Sequence, residues 1–205
     1  PLRRLVPRAP PIVTVPALSV IILAGGRSTR MGTDKAQVRV EGIRLIDATL
    51  SALSALPTPT TPIVVSPFDL GLPPEIPTVC EDPPFGGPVA GIAAGVALAD
   101  ADLVAVVAVD APHSPEALPA LVEALQNAPD AAAAVAVDEE GFMQPLCAVW
   151  RKQALLKALE HTGTRDVPAK ALYKVAGSVV KYQTQGAERD YDTPEELAQL
   201  GRVEL

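Results

Sequence analysis

The apolar residues come in short blocks whose spacing changes along the chain. Ser19 to Leu23 is a compact β-branched and aliphatic run, which reads as a buried strand entering the turn Ala24-Gly25-Gly26. Between Ile43 and Leu56 the apolar positions Ile43, Ile46, Leu50, Leu53 and Leu56 share one helical face. Pro57, Pro59 and Pro62 end that helix, and Ile63 to Val65 is the next strand. Pro67 to Pro88 is rich in proline and is predicted to be mostly irregular. Val89 to Leu98 is small and apolar, and Gly91 and Gly95 would let such a helix pack closely on a sheet. Leu103 to Val109 is continuously apolar, as suits a central strand covered on both faces, and it stops at Asp110. Ser114-Pro115-Glu116 predicts an N-cap and a first-turn proline for a helix reaching about Asn127. Ala132 to Val137 and Pro145 to Val149 read as strands, Arg151 to Glu160 as a helix and Gly177 to Tyr182 as a late strand. Thr193-Pro194-Glu195-Glu196 starts a last helix by the same cap logic.

Strands alternating with helices predict an α/β fold with a mostly parallel sheet. In open sheets of this kind ligands sit at the carboxyl ends of the strands. Two places fit: the loop after Leu23 and the residue Asp110.

Composition narrows the classes. With 205 residues, 48% of them hydrophobic, the chain can bury one substantial core. The domain reading is a flexible Pro- and Arg-rich extension over 1–17 and a single domain over 18–205. The apolar run Val20 to Ala24 is far shorter than the roughly 20 residues of a spanning helix, so no membrane span is expected. The prolines that follow Arg3, Arg4 and Arg8 leave no apolar stretch for a signal peptide, which predicts a cytoplasmic protein. A formal charge of −7 with 3% aromatics argues against nucleic acid as a partner. Cys80 and Cys147 match no metal spacing and read as reduced, buried side chains.

The segment Leu23 to Lys35 holds the chemistry. Glycines let the backbone approach an anion, and Arg27, Arg30 and Lys35 follow within ten residues. The parts make a phosphate cradle, yet the spacing is neither that of a P-loop nor that of a dinucleotide fingerprint. Asp110, at the end of the predicted central strand, is well placed for Mg²⁺.

L-A-G-G-x-S-x-R-M-G-x-D-K resembles the signature of the molybdenum cofactor nucleotidyltransferases, within the wider family of sugar-nucleotide pyrophosphorylases. Four further segments continue the likeness in order: Gly87 to Ile92, Val109 to Pro112, Gln144 to Leu146 and Asp192 to Glu195. The nearest resemblance is to molybdenum cofactor guanylyltransferases. It implies a Rossmann-like, three-layer αβα fold of the nucleotide-diphospho-sugar transferase type. It also implies Mg²⁺-dependent transfer of GMP from GTP to molybdopterin or Mo-molybdopterin, with release of pyrophosphate. Other molybdenum cofactor biosynthesis proteins or recipient apoenzymes are the further partners implied.

The resemblance assigns roles position by position. Leu23, Ala24, Gly25 and Gly26 would lie along the base and ribose, and Gly87, Pro88 and Gly91 would close over them. Arg30 and Lys35 would hold the triphosphate, and Asp82 would contact the nucleotide. Asp110 would hold the metal, with Asp192 as a second metal ligand or part of a helix cap. Gln144, Pro145 and Arg165 would face the acceptor. Guanylyl-transferring relatives read L-A-G-G where cytidylyl-transferring ones read L-A-A-G, so Gly25 points to GTP. Aspartates at the positions of Asp190 and Asp192 are commoner in the cytidylyl branch and point to CTP, so the alternative within enzymes is a CTP-dependent molybdopterin cytidylyltransferase or a nucleotidyltransferase for another phosphorylated acceptor. A non-catalytic nucleotide-binding protein is the alternative of another class, and retention of Arg30, Lys35, Asp82 and Asp110 together speaks against it.

Overall fold

The computed structural model describes residues 17–26 and 34–205. Arg27, Arg30 and the extension before Ala17 lie outside the described residues. In chain order the elements are β1 (Leu18–Leu23), β2 (Arg39–Val40), β3 (Ile43–Arg44), α1 (Leu45–Ser54), β4 (Thr60–Val65) and β5 (Thr78–Val79). There follow α2 (Pro88–Val96), β6 (Leu103–Ala108), α3 (Leu118–Gln126), β7 (Ala133–Val137), β8 (Met143–Arg151) and α4 (Lys152–Thr162). The chain ends with α5 (Lys170–Val175), β9 (Val179–Gln183), α6 (Pro194–Leu197) and β10 (Val203–Glu204).

Seven strands form one sheet in the order β5-β4-β1-β6-β8-β7-β9. All its pairings are parallel except those of β8, which runs antiparallel to β6 and β7. Successive side chains of a strand point to opposite faces, so each strand feeds two cores. Val20 and Ile22 of β1 pack with α1 and α3 through Ile46 and Leu121. Ile21 packs on the other face with α2 and α4 through Ile92 and Leu155. The result is the three-layer αβα arrangement expected from the alternation of elements. Every residue of β6 is buried, as its unbroken apolar run predicts for a strand covered on both faces.

Glycine sets how closely α2 approaches. A Cβ at Gly95 would lie 2.7 Å from Ile21 Cγ2, and one at Gly91 would lie 3.0 Å from Leu23 Cδ2. Trp150 and Tyr173 fill the same face, with ring centroids 4.8 Å apart. Trp150 is therefore core.

Several expectations are corrected by tertiary contacts. Ile43 is 56% exposed and belongs to β3, not to the helix. Glu41 and Gly42, at φ 52° and 78°, close a two-residue turn that pairs Val40 with Ile43. The hairpin claims Ile43, and α1 starts at Leu45. Ser114 is not the cap: it lies inside a turn whose N-cap position is His113, and its hydroxyl donates to Ala111 O at 2.7 Å. A 3-10 turn over Ser114–Ala117 intervenes before α3. Cys147 is buried as expected, but Cys80 is exposed, and both are free thiols. Helix α5 and the small sheet β10-β2-β3 have segments too short for a periodic signal. No helix among the described residues is long and apolar enough to cross a membrane.

Candidate active site

The carboxyl ends of β1, β4 and β6 stop at one level. Leu23 pairs with Val65 on one side and Ala108 on the other, and all three line a cavity of about 520 Å³. Ala24, Gly25 and Gly26 continue its wall from β1. Ala24 N–H donates to Val65 O at 2.9 Å, which ties the glycine turn to β4. A Cβ at Gly25 would lie 2.7 Å from Pro67 Cδ, so this close approach needs glycine. The facing wall is the start of α2, with Gly87, Pro88 and Gly91. Gly87 has φ 89°, a backbone shape that glycine adopts without strain.

Three charged side chains meet at the cavity. Lys35 opens a 3-10 turn capped by Asp34, whose Oδ1 accepts from Ala36 N–H at 3.1 Å. Among the described residues Asp34 Oδ2 is buried without a hydrogen-bond partner, and burial raises the Asp34 pKa despite that backbone contact. Lys35 Nζ donates to Asp110 Oδ2 at 2.9 Å and to Asp192 Oδ1 at 2.6 Å. Asp110 follows β6, where Val109 N–H donates to Leu23 O at 3.0 Å. Tyr191 N–H donates to Asp110 O at 2.9 Å. That one bond fastens the late loop to the end of β6 and brings Asp192 to Lys35. Glu196 Oε2 accepts from Asp192 N–H and Thr193 N–H, and Thr193 Oγ1 accepts from Glu196 N–H, so a capping box fixes the loop from its other end.

The electrostatics follow from this crowding. Burial alone would lower the Lys35 pKa, but the Asp110 charge and the hydrogen bonds to Asp192 and Asp110 outweigh it and raise it. The ammonium is therefore fully charged at neutral pH. Burial, and then the charges of Asp110 and Asp192, push the Asp190 pKa up. Three carboxylates thus gather around one lysine.

The profile of the MobA-like NTP transferase domain matches residues 20–179. The chain belongs to the MobA-like NTP transferase family. It is 32% identical to a molybdenum cofactor guanylyltransferase of Burkholderia lata, over 94% of this chain and 99% of that one. It is 34% identical to a probable molybdenum cofactor guanylyltransferase of Natronomonas pharaonis, over 86% and 93% of the two chains. The fold resembles that of molybdopterin-guanine dinucleotide biosynthesis protein A from Archaeoglobus fulgidus, with TM-score 0.69, 23% identity and coverage of 88% and 95%.

In this transferase the structure brings together most of the expected site. Leu23, Ala24, Gly25, Gly26, Lys35, Gly87, Pro88, Gly91, Asp110 and Asp192 all line the cavity. Arg30 lies outside the described residues. Asp82 is exposed and outside the lining, while its neighbour Glu81 lines it. Gln144 and Pro145 also fall outside it, and Leu146 is the residue of that segment that reaches the wall. Gln144 Nε2 donates to Asp138 Oδ2 at 3.1 Å, and Pro145 O accepts from Tyr173 Oη–H at 2.8 Å. Arg165 is not at the wall either; its Nη1 donates to Pro83 O at 3.1 Å. His113 pairs with Glu116 on the surface, and His161 contacts Lys157 O one helical turn back.

Sequence reasoning missed Glu81, Phe85, Val65 and Leu146. Val65 was legible in principle, since it ends β4, the parallel neighbour of β1, and parallel neighbours end together. Glu81 and Leu146 each sit one residue from a named candidate, and only the backbone path decides which neighbour turns inward.

Among the described residues no group of three His, Cys, Asp or Glu side chains forms a ready metal site. Asp110 and Asp192 still suit a hard cation. They are oxygen donors converging on one point, and Mg²⁺ is commonly held by one or two carboxylates plus substrate phosphates.

Proposed function

We propose that the chain transfers the GMP moiety of GTP to molybdopterin, or to molybdopterin already carrying molybdenum, and releases pyrophosphate. The observation that carries this reading is the Lys35–Asp110–Asp192 junction inside a cavity walled by two glycine-rich backbone segments. Its relatives' names supply the donor and the acceptor. The reading treats 18–205 as one transferase domain working in the cytoplasm, with 1–17 as an extension.

A phosphate oxygen of the acceptor attacks the α-phosphorus of GTP. A new P–O bond forms as the α–β bridge breaks, and the electron pair leaves with pyrophosphate. Both partners are anions, so the site must bring them together and neutralise them. Leu23 to Gly26 and Gly87 to Gly91 hold the base and ribose against backbone. Lys35 and Arg30 hold the triphosphate. An ammonium has three donors, and Asp110 and Asp192 take two from Lys35, which leaves one for a phosphate oxygen. Asp110 and Asp192 would hold Mg²⁺. When bound, the ion neutralises charge on the transferring phosphoryl group. Glu81 and Phe85 add a carboxylate and a ring to the nucleotide side, and Gln144 and Pro145, which precede the lining residue Leu146, would face the acceptor from outside the wall.

The test is a thermal-shift screen of GTP, CTP, ATP and UTP, each with Mg²⁺. GTP should stabilise the chain most. Selective stabilisation by CTP would replace the guanylyl reading with a cytidylyl one, the reading that Asp190 and Asp192 favour. A pyrophosphate-release assay with molybdopterin then separates an enzyme from a protein that only binds nucleotide.

A further inference from the structure

Among the described residues three that are not glycine hold a left-handed backbone: Glu41, Phe85 and Asp166, at φ 52°, 61° and 55°. Glu41 closes the β2–β3 hairpin. The other two sit on opposite sides of one contact between loops far apart in sequence. Asp166 N–H donates to Gly86 O at 2.7 Å, and Arg165 Nη1 donates to Pro83 O at 3.1 Å. Gly86 is buried there without room for a side chain: a Cβ would lie 2.8 Å from Ala90 Cβ and 3.3 Å from Arg165 Nη1. Left-handed non-glycine residues cost free energy and persist where their surroundings hold them. Asp166 makes one of these hydrogen bonds, and Phe85 lies between Pro83 and Gly86, the two residues whose carbonyls accept them.

The segment so fastened is part of the cavity. Phe85 and Gly87 line it, and the chain runs on into Pro88, the first residue of α2. Pro83 to Gly87 belongs to neither hydrophobic core, and Phe85 meets Phe68 with ring centroids 6.2 Å apart. The Arg165 side chain is about half exposed and spends its Nη1 on a backbone carbonyl. Its other near partner, Asp166 Oδ2, lies 3.7 Å from Nε on the adjoining residue.

We propose that Arg165 and the Asp166 backbone form a latch that holds residues 83–87 in the shape closing the nucleotide side of the cavity. Arg165 is then a positioning residue for the nucleotide, not a contact of the acceptor. The proposal rests on reading the cavity as a nucleotide site. It also explains why an arginine at this place leaves the lining while a glycine, Gly86, must lie beneath it.

The test uses the full chain with Arg165→Gln, Arg165→Lys and Gly86→Ala. Arg165→Gln should raise the Kd and KM for GTP about three- to tenfold, the range expected for one hydrogen bond to a charged donor in a half-exposed place. The molybdopterin KM and kcat should stay within about twofold, and Tm should barely move, because the side chain carries no core packing. Arg165→Lys should recover part of the loss, since an ammonium offers a donor without the planar fork. Gly86→Ala should weaken GTP in the same direction without touching the guanidinium. In nucleotide-free protein, amide hydrogen exchange at Asp166 and at Phe85, Gly86 and Gly87 should be faster in Arg165→Gln. Unchanged exchange at these residues overturns the latch, as does a GTP affinity of Arg165→Gln equal to that of a wild type that binds GTP. A rise confined to the molybdopterin KM overturns it too, and makes Arg165 an acceptor contact. A wild type that does not bind GTP defeats the reading of the cavity, while the exchange measurement still decides the latch.

Discussion

The two halves of the sheet bring their residues to the cavity in different ways. In β5-β4-β1-β6 every pairing is parallel, so strand ends share a level and Leu23, Val65 and Ala108 form one row of the wall. In β8-β7-β9 the strand next to β6 runs backwards. Leu146 therefore reaches the cavity from the starting end of β8, two residues before the Val106–Ala148 pair, and Asp192 arrives from the loop after β9. The parallel half supplies continuous backbone, which under the proposed function would lie along the nucleotide. The antiparallel half supplies single side chains, which under the same proposal would face the acceptor and the metal. Lys35, from outside the large sheet, ties the halves together by bridging Asp110 and Asp192.

The comparison breaks most completely at that bridge. Lys35→Ala or Asp110→Ala should lower transfer by about 10³-fold or more, the cost seen when a fixed charge-stabilising group is lost from a site. Tm should stay near wild type, because neither side chain belongs to a hydrophobic core. Near-normal pyrophosphate release from either variant would remove the junction from the chemistry. The next effect is on stability, in the parallel half. Gly95→Ala places a Cβ 2.7 Å from Ile21 Cγ2 and should destabilise by about 1–3 kcal/mol in urea unfolding, through overpacking between α2 and β1. An unchanged midpoint would mean that α2 can lift from the sheet without cost.

The antiparallel half should show a pH effect. Burial, and then the Glu188 charge, push the Cys147 thiol up to about 12. An unfolded thiol ionises near 8.5. The native state therefore holds a proton that the unfolded chain releases, so stability is full below about pH 8.5 and falls as pH rises toward 12. The loss should approach about 1.4 kcal/mol per pH unit in that window. Cys147→Ala should flatten this slope; an equal slope would place its origin elsewhere. A thiol reagent at pH 8 should label exposed Cys80 and spare Cys147. The smallest effect belongs to Gln144→Ala. It should raise the acceptor KM by about two- to tenfold, as for one neutral hydrogen bond, and leave the GTP KM alone. A change in the GTP KM instead would move Gln144 to the nucleotide side.

Local sequence carried much of this architecture. The unbroken apolar run of β6 reads as a central strand because a strand covered on both faces needs no polar positions. The Thr193–Glu196 box reads as a helix start because its hydrogen bonds close within four residues. The glycine turn and Asp110 were legible because each follows a strand end that the pattern already marks, and Lys35 because it closes the glycine-rich segment that begins there. Ile43 misled because its helical spacing is real, yet the Glu41-Gly42 turn binds it into a hairpin. Ser114 misled because a 3-10 turn over Ser114–Ala117 takes it in as a turn residue and leaves His113 at the N-cap position.

By itself, the sequence determined the α/β alternation, the strand ends and the residue types that can face phosphate, since periodicity and turn chemistry act over a few residues. The tertiary structure alone decided the antiparallel course of β8, the choice of Glu81 over Asp82 and of Leu146 over Gln144, and the contact of Arg165 with Pro83. Each of these depends on the path of a backbone held by partners dozens of residues away. The meeting of Lys35 with Asp192, 157 residues apart, is of the same kind, because a single bond from Tyr191 N–H to Asp110 O sets it.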